Sequence, residues 1–370
     1  MVAAEVEIGL FVGLFLLGVG LVIWCVEIFI DAVAQSAVSL GISGFFLAVI
    51  LAGVDLENAV LGVTAAFVAL PDLAIGTVFG ESLFVLAVAV GIAGLFVPFE
   101  IDVPRAYLLL LLLVPLPVFA MSLDGTIELQ HGAVLVAVFV PLLAYIFWRE
   151  RRSETIYLLS EAVQEVVDAD LVEEASERPR ASNGDGATEA AVEGGDGDER
   201  RSGPLELDLD LDPDEFVPEL EHRSGLFALG VAILSIVGMT VGSLITVVSA
   251  ERMFVAFGIS GLAFGATVLS FIASIEELAL TVEPVRQGRP HLAVGNVVGS
   301  TMFYMTANVG LIALLHPIDT SGAVMTVHWP FFAACLLVVT AMLARSRVTR
   351  LGGATLVALY VVYWIANYTW

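Results

Sequence analysis

The sequence predicts an all-α polytopic membrane protein, with ten transmembrane helices arranged as two inverted five-helix repeats. Three observations predict it. Hydrophobic residues make up 58% of the 370, well above the roughly 45–50% of an ordinary soluble domain. Uncharged runs of about 20 residues, enough to cross a hydrocarbon core, recur along the whole chain. Segments of the first half reappear, in order, in the second.

Taken in order, the uncharged runs place spans at 8–31, 42–68, 73–97, 105–122 and 128–148. After a polar gap they place spans at 224–250, 256–282, 292–315, 322–344 and 351–369. Residues 1–148 form the first repeat and 223–370 the second. The opening MVAAEVEIGLFVGLFLLG has no basic n-region and no A-x-A cleavage site. It reads as the start of the first span rather than as a signal peptide. The connection 149–222 carries 23 of the 40 acidic residues and 7 of the 15 Arg, a net charge of −16. In its first part Ile156, Leu159, Val163, Val166 and Val167 recur at helical spacing, which predicts a surface helix continuing the fifth span. Its middle, SNGDGATEAAVEGGDGDERRSG, is too poor in apolar residues to fold and is expected to be disordered.

Charge narrows the function classes. The net charge is −25 and every basic residue is Arg. A nucleic-acid binder needs a basic footprint, so that class is excluded. A Lys-free acidic surface suits high salt, where carboxylates hold water and cations. Placing 149–222 in the cytoplasm puts Arg105, Arg149, Arg151, Arg152, Arg286, Arg289, Arg345, Arg347 and Arg350 on cytoplasmic turns, with only Arg252 outside, as the positive-inside rule asks. Both termini of this multi-pass cell-membrane protein then lie outside. Five spans per half is odd, so the halves have opposite orientations, the arrangement of secondary transporters.

Other signals are weak. Cys25 and Cys335 lie far apart in apolar runs and read as packing thiols. His131, His222, His291, His316 and His328 show no zinc spacing, and there is no P-loop, G-x-S-x-G or H-E-x-x-H. An ATP-driven pump, a membrane hydrolase or any other enzyme is therefore not expected, and neither is a resident cofactor. Asp208, Asp210, Asp212 and Glu219 match EF-hand ligand positions. Pro213 stands where the loop needs Gly, so this stretch reads as a solvated acidic linker.

The repeat organises the buried acids. LGISG at 40–44 resembles FGISG at 257–261, an offset of 217. LPDLAIGTVFGESLF at 70–84 resembles RPHLAVGNVVGSTMF at 289–303, an offset of 219, with eleven of fifteen positions identical or chemically close. The 219 offset lays GVDLEN at 53–58 on IASIEE at 272–277. Asp55 then pairs with Ser274, Glu57 with Glu276, Asn58 with Glu277 and Glu81 with Ser300. A charge at mid-bilayer costs about 2.5–3.5 kcal/mol on insertion scales. Five such carboxylates, with no Arg or Lys deep within the membrane, call for bound cations or protons. Carboxylate, hydroxyl and amide oxygens suit a hard cation such as calcium or sodium. Asp55 and Asn58 share a helix face, as do Ser274 and Glu277. Glu57 and Glu276 point elsewhere, toward a cavity wall, a proton path or a vestibule. Gly76, Gly80, Gly295 and Gly299 thin one face of the third and eighth spans for close packing.

This pattern resembles the cation/calcium exchanger superfamily, which includes sodium/calcium and calcium/proton exchangers. The family's repeat reads G-T-S-x-P-E-L and then G-N-x-x-G-S-N-x-F. The second half has IASIEEL at 272–278 and GNVVGSTMF at 295–303; the first has GVDLEN at 53–58 and GTVFGESLF at 76–84. The resemblance implies a ten-helix antiporter whose site is built by the second, third, seventh and eighth spans, with the first and sixth sliding across it. It carries the family's ligands onto Ser274, Glu277 and Ser300, and onto Asp55, Asn58 and Glu81. The family's first-half Glu is Asn58 here, and its serines are Asp55 and Glu81. Glu57 and Glu276 replace its helix-breaking prolines, which leaves the helix break itself to be tested. Tyr304 and Val85 stand where further polar ligands would be.

The expected function is a secondary antiporter exchanging calcium, or a similar divalent cation, for sodium or protons. Its midplane site comprises Asp55, Glu57, Asn58, Glu81, Ser274, Glu276, Glu277 and Ser300. Which of the adjacent acids in each half faces the ion stays open. The alternatives are a monovalent cation/proton antiporter, and a non-transporting sensor or scaffold with the exchanger fold. The implied partners are the lipid bilayer and inorganic cations.

Overall fold

In hydrocarbon every backbone N–H and C=O must be bonded within its own segment, so the long apolar runs become helices. The computed structural model describes residues 2–39, 55–150 and 225–369. The first half contains α1 (Val2–Ser39), α2 (Leu56–Phe67), α3 (Pro71–Leu83), α4 (Val90–Phe96), α5 (Arg105–Leu113), α6 (Pro115–Ser122) and α7 (Leu129–Glu150). The second contains α8 (Gly225–Phe257), α9 (Gly261–Phe264), α10 (Ser270–Ala273), α11 (Ile275–Arg286), α12 (Pro290–Phe303), α13 (Val309–Leu315), α14 (Trp329–Ala344) and α15 (Arg350–Thr369). The chain thus has an all-α polytopic membrane fold. Among the described residues eight helices are long and apolar enough to cross a membrane. The bent pair Gly261–Ala273 and Ile275–Arg286 makes a ninth if it is one span. The expected span 42–68 is described only from Asp55 onward. The surface helix, the disordered stretch and the Asp208–Glu219 run all lie outside the described residues.

One boundary moves. The sixth span was expected to end at 250, but α8 runs on to Phe257. Glu251 and Arg252 are tolerated because neither is buried. Gly258, at φ +68°, supplies the left-handed turn that stops the helix.

Packing sorts the helices into layers. In the most apolar 18 residues of Pro71–Phe96 and of Pro290–Leu315, 89% of the positions are buried, against 22% in Arg350–Thr369. The two stretches are the repeat-related third and eighth spans, and they form the core. Leu17, Leu109, Ile233, Leu234 and Ile365 are exposed around them, as lipid-facing positions should be. The core interrupts its α-helices at matching places, with π-helical Phe84–Ala89 and Tyr304–Asn308. Two short antiparallel ladders also match by repeat. Phe99–Glu100 (β1) pairs with Arg347–Val348 (β4), and Thr126–Ile127 (β2) with Ile318–Asp319 (β3). β1 lies 219 residues before β3.

Glycine allows the third and seventh spans to cross tightly. A methyl on Gly76 would run into the Leu262 carbonyl, and one on Gly80 into Ser270 and the Ala266 carbonyl. On the other side of the crossing, one on Gly265 would meet the Leu73 carbonyl. This brings Glu81 of the third span alongside the broken seventh.

Candidate functional site

Two helix starts converge on this crossing. Asp55 is the N-cap of α2, and its Oδ1 accepts the Asn58 backbone N–H at 3.0 Å. An Asp in this place satisfies an otherwise orphaned amide. In the second half α10 ends at Ala273 and α11 restarts after Ser274, bent by 48°. The break that the missing prolines left untested is therefore present, at Ser274. Both helix N-termini direct exposed amide dipoles toward the acids of their first turns, which favours negative charge there.

The acids of the two halves meet on one hydroxyl. Tyr304 Oη donates to Asp55 Oδ2 at 2.5 Å, and Glu277 Oε1 lies 3.2 Å from the same oxygen. Asn58 Nδ2 donates to Asp55 Oδ2 at 2.6 Å and to Tyr304 Oη at 3.0 Å. Ser300 Oγ donates to Glu277 Oε1 at 3.0 Å, and Asn296 Nδ2 donates to Glu277 Oε2. Tyr304 and Glu81 are 0% exposed, and Glu57, Asn58, Ser274, Glu277 and Ser300 are buried with them. Asp55 is half-buried.

Several oxygens in this cluster have no partner: both of Glu81, Glu57 Oε1, Asn58 Oδ1 and Ser274 Oγ. The charges that Glu81 feels are those of Asp55 and Glu277. Among the described residues, Arg286 pairs with Glu283 and Arg347 with Glu100, both exposed and away from this cluster. The cluster gathers carboxylate, hydroxyl and amide oxygens, the groups that attract a hard cation or hold a proton.

Of the eight residues singled out in the sequence, Asp55, Asn58, Glu277 and Ser300 are joined in one hydrogen-bonded network through Tyr304. Glu81, Glu57 and Ser274 are buried but outside that network. Glu276 is exposed and outside the hydrogen-bonded network, though it still feels the charge of Asp55, while its neighbour Glu277 is buried within the network. Among the described residues no three His, Cys, Asp or Glu side chains are gathered tightly enough to hold one metal ion. Two members were not singled out from the sequence. Tyr304 was noted only as a departure from the family pattern. Asn296 was quoted in the GNVVGS motif without a role, though it is the one amide in a glycine-lined stretch a turn before Ser300.

The profile described as sodium/calcium exchanger protein matches residues 10–148 and 227–369. The inner membrane protein YrbG of Escherichia coli (strain K12) is 25% identical over 308 residues, 82% of this chain and 79% of that protein. The sodium/calcium exchanger MaX1 of Methanosarcina acetivorans is 28% identical over 148 residues, 39% of this chain and 42% of that protein. A solved structure of the sodium-calcium exchanger NCX_Mj superposes with a TM-score of 0.51 at 19% identity, over 97% of this chain and 99% of that one. That last likeness is one of fold.

Proposed function

The chain belongs to the sodium/calcium exchanger protein family, and from that premise we propose that it is a secondary antiporter exchanging calcium, or a similar divalent cation, for sodium or protons. The observation that carries this reading is the meeting of Asp55 and Glu277, one from each half, on the Tyr304 hydroxyl, beside a fully buried Glu81 with both oxygens unpartnered. Buried carboxylates need a counter-charge, and in an exchanger the cargo supplies it.

In this reading Asp55, Glu81 and Glu277 grip the cation, and Asn58, Ser274 and Ser300 add neutral oxygens. Because those carboxylates do not yet converge, binding draws Asp55 and Glu277 off Tyr304 and onto the ion. Glu57 is a further ligand or proton acceptor, and exposed Glu276 serves the approach to the site. A neutralised site lets the carrier change sides; an unneutralised one holds it. The long helices α1 and α8 pack against each other through Gly18 and Gly242, and we assign them the sliding motion. Residues 1–148 and 223–370 are read as the two repeats, joined by a cytoplasmic 149–222, with both termini outside.

The test is radioactive calcium uptake into proteoliposomes at high salt, driven first by an outward sodium gradient and then by an outward proton gradient. Uptake under either supports the reading and names the coupling ion. Glu277→Gln should abolish it; unchanged exchange at saturating and limiting ion would sink the site assignment. A monovalent cation/proton antiporter is the second reading, favoured by the neutral Asn58 and Tyr304 at the centre. Cation flux that persists without any divalent ion would establish it.

A further inference from the structure

The last helix grips the broken seventh span, and the function proposed above gives that contact no role. On α15, Tyr360, Trp364 and Tyr368 recur every four residues and so share one face. Tyr360 packs on Phe84, where the third span turns π-helical, with ring centroids 6.1 Å apart. Trp364 packs on Phe271 of α10 at 5.8 Å, and Phe271 in turn meets Phe84 at 5.5 Å. At the end of this stripe the Tyr368 hydroxyl lies 2.5 Å from Thr267 Oγ1.

Thr267 belongs to the π-helical stretch Gly265–Leu269 of the seventh span and is 0% exposed. Its one proton goes to the Ala263 carbonyl, 2.6 Å away, so at the other contact Tyr368 donates. The Thr267 carbonyl accepts the Ser270 hydroxyl at 3.4 Å, and Ser270 is the side chain that a methyl on Gly80 would run into. A chain of contacts therefore leads from Tyr368, 45% exposed, to the residue before Glu81. In the other direction the break at Ser274 follows Thr267 by seven residues, about two helical turns. A π-helical turn carries one residue more than an α-helical one. Relaxing it would rotate all that follows by about 100°, and Ser274 and Glu277 with it.

We propose that Tyr368 is a positioning residue: by donating to Thr267 it holds the π-helical turn of the seventh span, and so sets how Ser274 and Glu277 are presented to the cation. The proposal rests on reading the carboxylate cluster as the cation site. Tyr368 itself stays away from the ion. Because Thr267 keeps its bond to Ala263, loss of the Tyr368 hydroxyl strands no buried donor, and the fold should survive it.

The test is equilibrium binding of radioactive calcium to the purified full chain, beside thermal melting without cation. Tyr368→Phe should weaken calcium binding about three- to tenfold, the worth of one hydrogen bond, with the Tm close to that of the wild type. Thr267→Val should do the same to calcium, and the double variant should bind no more weakly than either single one, since both remove one contact. Unchanged calcium affinity in Tyr368→Phe, or losses that add in full in the double variant, would overturn the proposal and leave the stripe as packing. Where Thr267→Val fails to fold, Thr267→Ser takes its place: it keeps Oγ1 and should bind calcium as the wild type does, and weakened binding would overturn the proposal by showing that the methyl, not the hydroxyl, holds the turn. If the wild-type chain binds no calcium, the function proposed above fails, and hydrogen exchange of the amides from Gly265 to Glu277 decides the clamp by itself. Faster exchange in Tyr368→Phe upholds it; equal exchange overturns it.

Discussion

A phenol has a single proton to donate, and at Tyr304 two carboxylates reach for it. The shorter contact goes to Asp55 at 2.5 Å; Glu277, at 3.2 Å, keeps Ser300 and Asn296 as donors. Tyr304→Phe would remove this bridge with little change of shape. A hydrogen bond to a charged group contributes about 1.5–3 kcal/mol, so the ion-free variant should unfold at a lower temperature by a corresponding amount. Saturating calcium should narrow the deficit, because the cation replaces the lost donor. An equal deficit with and without cation, read by thermal melting in detergent, would mean that Tyr304 only packs. Much of this cluster was legible in the sequence. The 219-residue offset aligned Asp55, Asn58, Glu277 and Ser300 by position, and an ionisable group inside an apolar run announces itself by its cost. Tyr304 did not, because an aromatic ring in an apolar run reads equally well as core. The choice between Glu276 and Glu277 also needed the fold. Neighbours on a helix point about 100° apart, and only the break at Ser274 decides which one turns inward.

Among the elements, the broken helices and the close crossing depend on short-range chemistry that replaces what the family pattern supplies with proline. An Asp at the N-cap starts α2, and Ser274 sits at the bend where α11 begins again. Ser and Asp are favoured at such starts because a side-chain oxygen can take up a free backbone amide, although only Asp55 makes that bond here. The crossing of the third and seventh spans leaves no room for a side chain at Gly76, since the group a methyl would meet is the Leu262 backbone carbonyl, which cannot swing aside. Gly76→Ala should therefore destabilise the protein by about 1–3 kcal/mol, as overpacking does. Gly230→Ala on α8, where nothing lies within 4 Å, should leave the Tm unchanged or raise it. Equal effects of the two substitutions in a melting experiment would contradict the packing described for the crossing.

At the scale of the whole molecule, the two β ladders carry the argument for inverted halves. Span lengths alone could locate helices but not pair the loops between them, because two-residue strands leave no periodic trace in sequence. β1 pairs with β4, and β2 with β3, so each ladder joins a loop of one half to a loop of the other. One membrane-crossing segment, Arg105–Ser122, lies between β1 and β2, which puts the ladders at opposite ends of the protein. If the Arg-rich turns lie inside, as the positive-inside rule asks, the β1–β4 ladder should be cytoplasmic and the β2–β3 ladder outside. The native Cys25 and Cys335 are both buried, so single cysteines introduced at exposed ladder positions can be labelled against a quiet background. Thr126→Cys and Asp319→Cys should react with a membrane-impermeant thiol reagent applied to intact cells. Glu100→Cys and Arg347→Cys should react only after the membrane is permeabilised. Labelling of the two pairs in the reverse order would keep the inverted halves but turn the molecule over, placing both termini and the Arg-poor turns inside. Labelling of all four from one side would contradict the inverted arrangement itself, and with it the premise that Asp55 and Glu277 approach one ion from oppositely oriented halves.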